Sequence, residues 1–368
     1  MSAIDKEIEE AIDSETLAGV SRGGTWIPDD CTSRHSVAII IPYRDREKQL
    51  NLLMKYLPPV LKRHQINYSI FVVEQMGNET FNKGVLMNAG FLTALDRPAN
   101  GVMYHCFIFH DVDLLPEDDR NMYTCPPQPR HLSVAVNELH YKLPYRVLVG
   151  GVFAVRTEHF LRLNGYSNLY WGWGGEDDDM GYRVEHVLSS ISRPPEWVAR
   201  YTMIKHEKRR PLSRRVRTKL LRTSWRRYRL DGLNTVSYGL GPIVQHNHYT
   251  HVMIDVGPPP TTYRNQTALQ AQLLAQEKRI LESLKVAELN RLNLFERSTF
   301  NWISSHRVID VLNAENDFTR LKKSSCHAAK PYCPKVPPRL STWYLPNSVR
   351  SISRTIENPS SSIYLVKH

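Results

Sequence analysis

Val37-Ala38-Ile39-Ile40-Ile41-Pro42 is an uninterrupted apolar run, followed directly by Tyr43-Arg44-Asp45-Arg46. Such a run is typical of a strand buried on both faces in the parallel sheet of an α/β protein. An amphipathic helix is predicted next, over residues 47–61. Ligands bind at the carboxyl ends of strands in open α/β sheets, so Arg44 and Arg46 suit a phosphate. Two solvated arginines at a helix start are the alternative.

The pattern of a buried strand followed by a helix repeats along the chain and predicts a nucleotide-binding α/β domain. There is neither a GxGxxG nor a GxxxxGK[ST] motif, which argues against dinucleotide-binding and P-loop folds. Further strands are predicted at 68–73, 104–109, 131–136, 147–155, 201–206 and 252–256, and further helices at 81–95, 158–164 and 178–188.

The strand predicted at 104–109 runs into Asp111-Val112-Asp113. Side chains two residues apart at a strand end point to the same side of the chain. A pair of carboxylates placed in this way can bind a divalent cation that bridges a diphosphate. An ordinary capping acid is the alternative.

The most unusual stretch is Trp171-Gly172-Trp173-Gly174-Gly175-Glu176-Asp177-Asp178-Asp179-Met180-Gly181. Four adjacent carboxylates resist burial unless a partner or a ligand uses them. Glycines let a ligand approach the backbone closely, and the indoles offer flat apolar faces that suit sugar rings. We predict a loop-to-helix junction that binds a polyhydroxylated acceptor and supplies a general base. The alternative is a mobile loop before a charged helix N-terminus.

Composition restricts the class of protein. The chain has 368 residues, of which 41% are hydrophobic and 23% charged, as in soluble globular proteins. It contains no apolar run of eighteen residues. Residues 1–25 do not read as a secretory signal, so we expect a cytosolic chain or one without its own targeting segment. Five cysteines without a CxxC motif argue against a structural zinc site.

The formal net charge is +11, and residues 205–229 hold twelve Lys and Arg against one acid, Glu207. Such a block can contact nucleic acid, or it can form a mobile loop that faces phosphates or an anionic substrate. The chain carries no recognised nucleic-acid-binding module. We therefore expect no nucleic-acid partner.

Four segments are predicted. Residues 1–30 form a stem-like or partly disordered N-terminal segment, and residues 31–258 form the α/β domain, which ends at the Gly257-Pro-Pro-Pro260 boundary. Residues 259–323 form a helical extension, whose helix at 266–296 docks on the main domain or pairs with another chain. Residues 324–368 form a Pro/Ser-rich tail.

Together these motifs resemble the β-1,4-galactosyltransferase family, glycosyltransferase family 7. The resemblance implies a GT-A fold, a requirement for Mn²⁺, a UDP-sugar donor and inversion at the anomeric carbon. It covers residues 31–258 and is carried by AIIIPYRDRE (38–47), FNKGVLMNAGF (81–91), FIFHDVDLLPEDDRNMY (107–123), LPYRVLVGGVFAV (143–155), NGYSNLYWGWGGEDDD (164–179), SRP (192–194), MIKH (203–206), DGLN (231–234) and VMIDVG (252–257).

The resemblance also implies roles for residues at the nucleotide and the metal. Asp113, Met203 and His206 resemble the metal ligands, although spacing alone favours a core Met and a surface His. Lys83 stands where the family often has Arg, which keeps the charge but loses the bidentate fork. The residues that resemble nucleotide contacts are Pro42, Tyr43, Arg44, Arg46, Phe81, Lys83 and Val112.

The resemblance also implies separate roles for the consecutive acids at 176–179. Glu176, with Asp111, would contact the donor sugar, and Asp177 would take the proton from the 4-hydroxyl of the acceptor. Asp178 would hold the acceptor sugar, and Asp179 would support the helix start. Gly175 and Leu221 are implied on the acceptor side, and Trp173 on both the donor and the acceptor sides.

Leu148 departs from the vertebrate galactose-transferring members, which have Tyr at this position of the LPYxxxxGG segment. Tyr crowds the space that the C2 acetamido group of a donor would occupy. Invertebrate members with Ile or Leu there are associated with GalNAc transfer. The resemblance therefore implies UDP-GalNAc as donor and terminal β-GlcNAc as acceptor, giving GalNAcβ1-4GlcNAc, with UDP-Gal as the alternative donor.

Family members are type II Golgi proteins, so the resemblance implies the Golgi lumen, with membrane association through an anchor that this chain lacks. It also implies a disulfide between Cys106 and Cys125 and leaves the state of Cys31 open. A non-catalytic glycan-binding or chaperone-like module is the alternative from another class.

Overall fold

The computed structural model describes residues 19–98, 101–207 and 211–260, together with Ala275. The strands are β1 (Thr25–Trp26), β2 (Ser36–Tyr43), β3 (Asn67–Gln75), β4 (Cys106–His110), β5 (Leu114–Pro116), β6 (Arg130–His131), β7 (Ala135–Val136), β8 (Val152–Arg156), β9 (Arg200–Met203), β10 (Gly239–Gln245) and β11 (Thr250–Asp255). The helices are α1 (Glu47–Arg63), α2 (Lys83–Leu95), α3 (Thr157–Arg162), α4 (Glu176–Val187) and α5 (Arg214–Arg227).

The main sheet has the strand order β10-β11-β3-β2-β4-β8-β6, and β1 also pairs with β3. Its centre, β11-β3-β2-β4, is parallel, and the strands outside it pair antiparallel. A smaller sheet, β5-β9-β7, lies beside it. The parallel centre brings the carboxyl ends of β2 and β4 to the same edge, and the candidate site lies at that edge.

The opening apolar run is buried on both faces, as predicted. In β2, Ala38 and Ile40 pack into the core on one side of the sheet, with α2. Ile39 and Ile41 pack into the core on the other side, with α1. Successive side chains of a strand point to opposite faces, so a central strand covered on both faces needs apolar residues at every position.

Three of the predicted strands are wrong in extent, and the one predicted at 201–206 ends at Met203. The strand predicted at 131–136 is divided into β6 and β7, which belong to different sheets. The strand predicted at 147–155 begins only at Val152. Gly150 and Gly151 precede β8, and Gly151 has a φ of 92°, a left-handed value that favours glycine and interrupts a strand.

Residues 207–229 are basic with few strand signals, and no helix is predicted there, yet α5 lies within them. Val216 and Leu220, four residues apart, are buried on one face of α5 against Tyr170 and Leu212. This spacing is the signal of an amphipathic helix. The many arginines of this segment mask the apolar spacing in the sequence, so the helix is not predicted.

The disulfide between Cys106 and Cys125 is confirmed, with Cα atoms 5.5 Å apart. Across the described ranges, no helix is long and apolar enough to cross a membrane. The predicted helix at 266–296, apart from Ala275, and the tail from 324 lie outside the described residues. The four-segment division therefore stays a prediction.

Candidate active site

The predicted donor and acceptor residues converge at the carboxyl edge of the main sheet. Asp111 directly follows β4, and its backbone N–H donates to the Gly151 carbonyl, 2.9 Å away, just before β8. Glu176 and Asp177 begin α4. Two of the four carboxylates in the acidic stretch thus lie near Asp111, the first acid after a central strand.

Lys83, on the first turn of α2, holds these acids together. Its Nζ lies 2.8 Å from Asp111 Oδ1, 3.0 Å from Asp177 Oδ2 and 3.6 Å from Glu176 Oε1. Its helix is capped by Asn82, whose side-chain oxygen accepts from the Val85 N–H. A cap that accepts the early N–H groups stabilises the helix start and thereby fixes where Lys83 lies.

Burial dominates the acid–base properties of this cluster. It raises the pKa of Glu176 to about 7, with the charge of Asp177 adding to the rise and Lys83 opposing it. Burial likewise raises the pKa of Asp111 and of Asp177, and Lys83 again opposes the rise. Burial alone would lower the pKa of Lys83, but the three carboxylates hold it well above its ordinary value.

Among the described residues, one carboxylate oxygen of Glu176 has no hydrogen-bond partner. The residue is only 6% exposed. Its Oε2 is buried and, among the described residues, has no hydrogen-bond partner. Buried polar atoms in folded proteins are almost always hydrogen-bonded. This oxygen is therefore placed to accept from a hydroxyl of a bound ligand.

Gly150 allows α4 to begin this close to β8. A Cβ on Gly150 would lie 2.9 Å from Asp177 Oδ2 and 3.4 Å from Leu148 Cδ1. The Gly150 carbonyl is held by Ser133 Oγ at 2.9 Å and lies 2.8 Å from His131 Nε2. Leu148, the predicted donor-pocket residue, therefore lies next to the base predicted at Asp177.

The three predicted metal residues lie together. His206 Nε2 is 2.6 Å from Asp113 Oδ2. Met203 pairs with Leu114 across β9 and β5, and the Ile204 N–H donates to the Asp113 carbonyl at 2.7 Å. Within the described ranges, no cluster made up only of His, Cys, Asp and Glu side chains has three members placed to hold a metal.

A carboxylate and an imidazole fit a divalent cation such as Mn²⁺, and the thioether of Met203 is a soft and unusual third ligand. A cation held by only three protein atoms has coordination positions left for the oxygens of a diphosphate. The donor set thus fits a metal that is shared with a nucleotide.

The predicted phosphate residues reach the metal residues from β2. Arg46 Nη2 lies 3.3 Å from His206 Nδ1 and donates to the Glu207 carbonyl at 2.6 Å. Arg44 donates to the Glu79 carbonyl, and its guanidinium lies 5.2 Å from the centre of the Phe81 ring. Tyr43 follows Pro42 at the end of β2, and burial raises its pKa to about 12. Val112 is buried between the two acids of the D-x-D motif.

Of the predicted acceptor residues, Gly175 and Asp178 flank Glu176 and Asp177 at the start of α4, Trp173 lies in the loop before it, and Leu221 lies on α5. Asp178 Oδ1 accepts from the Tyr145 hydroxyl at 2.7 Å. Trp173 is 56% exposed, and its carbonyl accepts from the Leu212 N–H, next to the start of α5. Gly175 has a φ of 107°, and a Cβ there would lie 2.6 Å from the Tyr170 ring, so glycine is required. Leu221 packs beside the small core of α5.

Asp179 does more than support the helix start, which corrects the sequence prediction. It is fully buried, and its oxygens accept from Arg183 and Arg227, each at 2.7 Å, and from Tyr170 at 2.9 Å. Burial would raise the pKa of Asp179, but the two guanidinium groups hold it below its usual range. Arg183 and Arg227 also pair with Asp231. This network ties α4 to α5.

Sequence reasoning missed Tyr145 and the Asp179 network. The network had a signal, because Arg183 follows Asp179 by four residues and Asp231 follows Arg227 by four, the spacing of neighbours on a helix. Tyr145 had no local signal, since the loop that carries it lies over thirty residues from Asp178 in the sequence.

Comparison with known proteins identifies the family. Matches are found to the N-terminal region of glycosyl transferase group 7 over residues 2–126 and to the N-terminal domain of galactosyltransferase over residues 130–207. Beta-1,4-galactosyltransferase 4 of Rattus norvegicus is 45% identical over 239 residues, 64% of this chain and 67% of that protein. The chain belongs to the β-1,4-galactosyltransferase family.

Another member of the β-1,4-galactosyltransferase family, beta-1,4-galactosyltransferase 2 of Homo sapiens, is 43% identical over 246 residues. The match spans 66% of this chain and 65% of that protein, slightly less than two thirds of its length.

Solved structures of the β-1,4-galactosyltransferase family share the fold. The catalytic domain of Drosophila beta-1,4-galactosyltransferase 7 in complex with xylobiose is 28% identical, with a TM-score of 0.51 over 60% of this chain and 93% of that domain. A mutant of the same enzyme, solved with manganese, UDP-Gal and xylobiose, is 26% identical, with a TM-score of 0.50 and the same coverage. The GT-A fold is confirmed.

The raised pKa of Glu176 gives a pH prediction. Between pH 4.5 and 7 the unfolded Glu176 is ionised while the folded one keeps its proton, so the folded state binds more protons. Stability falls with rising pH under that condition. We expect the unfolding free energy of Glu176→Gln, relative to the wild type, to rise across this window in urea titrations without divalent cations. A constant difference between the two proteins would contradict the assignment.

Proposed function

We propose that this chain transfers a hexose from a UDP-sugar to the 4-hydroxyl of a terminal β-GlcNAc, with inversion and with Mn²⁺ as cofactor. One observation carries the proposal most directly. A lysine and three carboxylates lie beside a carboxylate–imidazole–thioether set and two arginines, and one buried carboxylate oxygen has no partner among the described residues. Relatives with related sequences are named as β-1,4-galactosyltransferases, and one was solved with manganese and UDP-Gal.

Asp177 is the general base in this proposal. The attacking hydroxyl must lose a proton as the glycosidic bond forms, and a carboxylate within hydrogen-bond reach can accept it. Lys83, 3.0 Å from Asp177 Oδ2, favours the ionised form that the base requires. Attack on the face of the donor opposite to the leaving UDP converts an α-linked donor into a β-linked product.

Glu176 and Asp111 hold the donor sugar, and Asp178 holds the acceptor. The unpartnered Oε2 of Glu176 accepts from a sugar hydroxyl and so restores the hydrogen bond that burial demands. Asp178 is oriented by Tyr145 and lies one residue beyond the base. Trp173, exposed beside these acids, supplies an apolar face for the acceptor ring.

The leaving diphosphate is stabilised on the opposite side. Asp113, His206 and Met203 would hold the metal, which neutralises charge on the diphosphate when it is bound. Arg46 lies beside His206, a position that suits a contact to phosphate. Arg44 lies over the ring of Phe81, an arrangement that suits a contact to uracil. Fixed positive charge at the developing negative charge lowers the barrier to transfer.

The donor sugar is the finer part of the proposal. The names of the relatives favour UDP-Gal. Leu148, beside Gly150 and Asp177, favours UDP-GalNAc as a second donor, because a side chain smaller than Tyr leaves room for an acetamido group. The Golgi lumen is the proposed location, by analogy with the family.

Removing the base tests the role of Asp177. We expect Asp177→Asn to lower kcat by about a hundredfold to ten-thousandfold, the range that a positioned general base contributes. UDP affinity, measured by calorimetry with Mn²⁺, should change little, because Asp177 is not itself a predicted nucleotide contact and Lys83 keeps Asp111 and Glu176 as partners. Asp119→Asn is the control, since Asp119 pairs with Arg63 at the distant end of α1. Loss of UDP binding in Asp177→Asn would show that its role is misassigned.

Donor choice is tested with UDP-Gal and UDP-GalNAc on the wild type and on Leu148→Tyr. We expect the wild type to use both donors and the variant to lose at least tenfold in kcat/KM for UDP-GalNAc relative to UDP-Gal, since one poorly fitting group costs about 1–3 kcal/mol. An unchanged ratio of the two kcat/KM values would remove Leu148 from the donor pocket.

A further inference from the structure

The Ser192-Arg193-Pro194 motif lies against the edge of the main sheet and has no role in the reaction described above. The Ser192 N–H donates to the Pro129 carbonyl at 2.8 Å, and the Ser192 carbonyl accepts from the His131 N–H at 3.0 Å. These bonds pair the motif with β6, the last strand of the sheet. The backbone of Arg193 is therefore fixed, and its side chain can hold another segment in place.

Arg193 holds a loop that has no regular secondary structure of its own, residues 145–150, which we call the donor loop. The Arg193 Nη2 donates to the Arg146 carbonyl at 2.5 Å and to the Leu148 carbonyl at 3.0 Å. Within the loop, the Leu148 N–H donates to the Tyr145 carbonyl at the longer distance of 3.3 Å. A hydrogen bond from a charged donor is about twice as strong as one between neutral groups. The guanidinium therefore contributes more to the shape of the donor loop than the loop's own turn does.

The other side of the donor loop lies against α4. A Cβ on Gly181 would overlap the Val147 carbonyl oxygen, so glycine is required for the helix and the loop backbone to come this close. Arg146 also pairs with Glu185 of α4 at 2.9 Å. The donor loop is therefore enclosed between Arg193 and α4, and the loss of either side would free its backbone to move.

The donor loop carries three groups to the acid cluster. The Tyr145 hydroxyl donates to Asp178 at 2.7 Å. Leu148 lies beside Gly150, which closely approaches the proposed base. A displacement of about 1 Å in the groups that position a substrate can lower the rate about a hundredfold. One of the carbonyls bound by the guanidinium belongs to Leu148 itself, so the residue of the predicted donor pocket is held directly.

We propose that Arg193 is a positioning residue, which clamps the donor loop against α4 and so fixes Leu148 at the donor sugar. The proposal rests on the proposed function and adds to it a residue outside the predicted nucleotide and metal contacts. Arg193 acts through two backbone carbonyls rather than through contact with a ligand. Loss of the clamp should therefore weaken binding of the sugar part of the donor. It should spare the UDP part, whose predicted contacts lie around the end of β2 and the start of α2.

Hydrogen exchange tests the clamp without any substrate. Arg193→Met removes both hydrogen bonds and keeps an unbranched side chain. Arg156→Met is the matched control, because Arg156 Nε also donates to a loop carbonyl, that of Pro126 at 3.1 Å, at the opposite end of β8. We expect amide exchange at 145–150 to become about tenfold faster in Arg193→Met, since a hydrogen bond to a charged group is lost. Exchange there should stay unchanged in Arg156→Met.

Calorimetry with Mn²⁺ tests the consequence for the donor, with UDP and UDP-Gal measured separately. We expect Arg193→Met to weaken UDP-Gal binding by about tenfold, the effect of one poorly fitting group, and to leave UDP binding unchanged. The KM for UDP-Gal should rise by a similar factor. A general structural defect would weaken both ligands alike, so the difference between them reports on positioning.

Unchanged exchange at 145–150 in Arg193→Met, or an equal loss of UDP and UDP-Gal affinity, would overturn the proposal. The same changes in Arg156→Met would overturn it too. If Arg193→Met does not fold, the comparison is made with Arg193→Lys, which keeps a charged donor without the guanidinium geometry and should show the same pattern with smaller changes. A wild type that binds neither ligand, but whose donor loop exchanges faster in Arg193→Met, would refute the proposed function and leave the clamp standing.

Discussion

The ion cluster around Lys83 is the constraint on which the site depends. Asp111 and the adjacent pair Glu176 and Asp177 come from distant parts of the chain, and the three carboxylates would repel one another if no cation lay between them. A buried charge without a partner costs several kcal/mol, and a single ammonium reduces that cost for three carboxylates at once. The helix that carries Lys83 packs on the central strands, so the position of the acids is set by the core.

The start of α4 is fixed from two further sides. Glycine at position 150 lets the backbone before β8 approach Asp177, and a side chain there would meet the carboxylate. Asp179, in the first turn of α4, binds Arg183 and Arg227 and so ties α4 to the basic helix α5. In the proposed reaction, Glu176 therefore holds the donor, Asp177 is the base and Asp178 holds the acceptor. Asp179, the last of the four consecutive acids, holds the structure.

Much of this arrangement was predictable from local patterns. The apolar run at 37–42 predicted the fold class, because burial of a strand on both faces is visible within a short stretch of sequence. The acids that follow the strand predicted at 104–109 predicted the place of the site, because strand direction decides which edge of the sheet they reach. Tyr145 needed the structure, since its meaning depends on its hydrogen bond to Asp178, far along the chain. The family resemblance alone assigned Leu148 to the donor pocket, and the structure adds that Leu148 and Asp177 both lie beside Gly150. Helix α5 had the right spacing of Val216 and Leu220, but its arginines concealed it, and the partners of those arginines are also distant in sequence.

A double-mutant cycle on Lys83 and Asp177 tests the central claim most directly, by urea unfolding at pH 7 without divalent cations. The account predicts that Lys83→Met alone costs about 3–5 kcal/mol, because it leaves buried carboxylates uncompensated. Adding Asp177→Asn should recover more than about 1 kcal/mol of that loss through the coupling between the two residues. Strictly additive effects of the two substitutions would contradict the account.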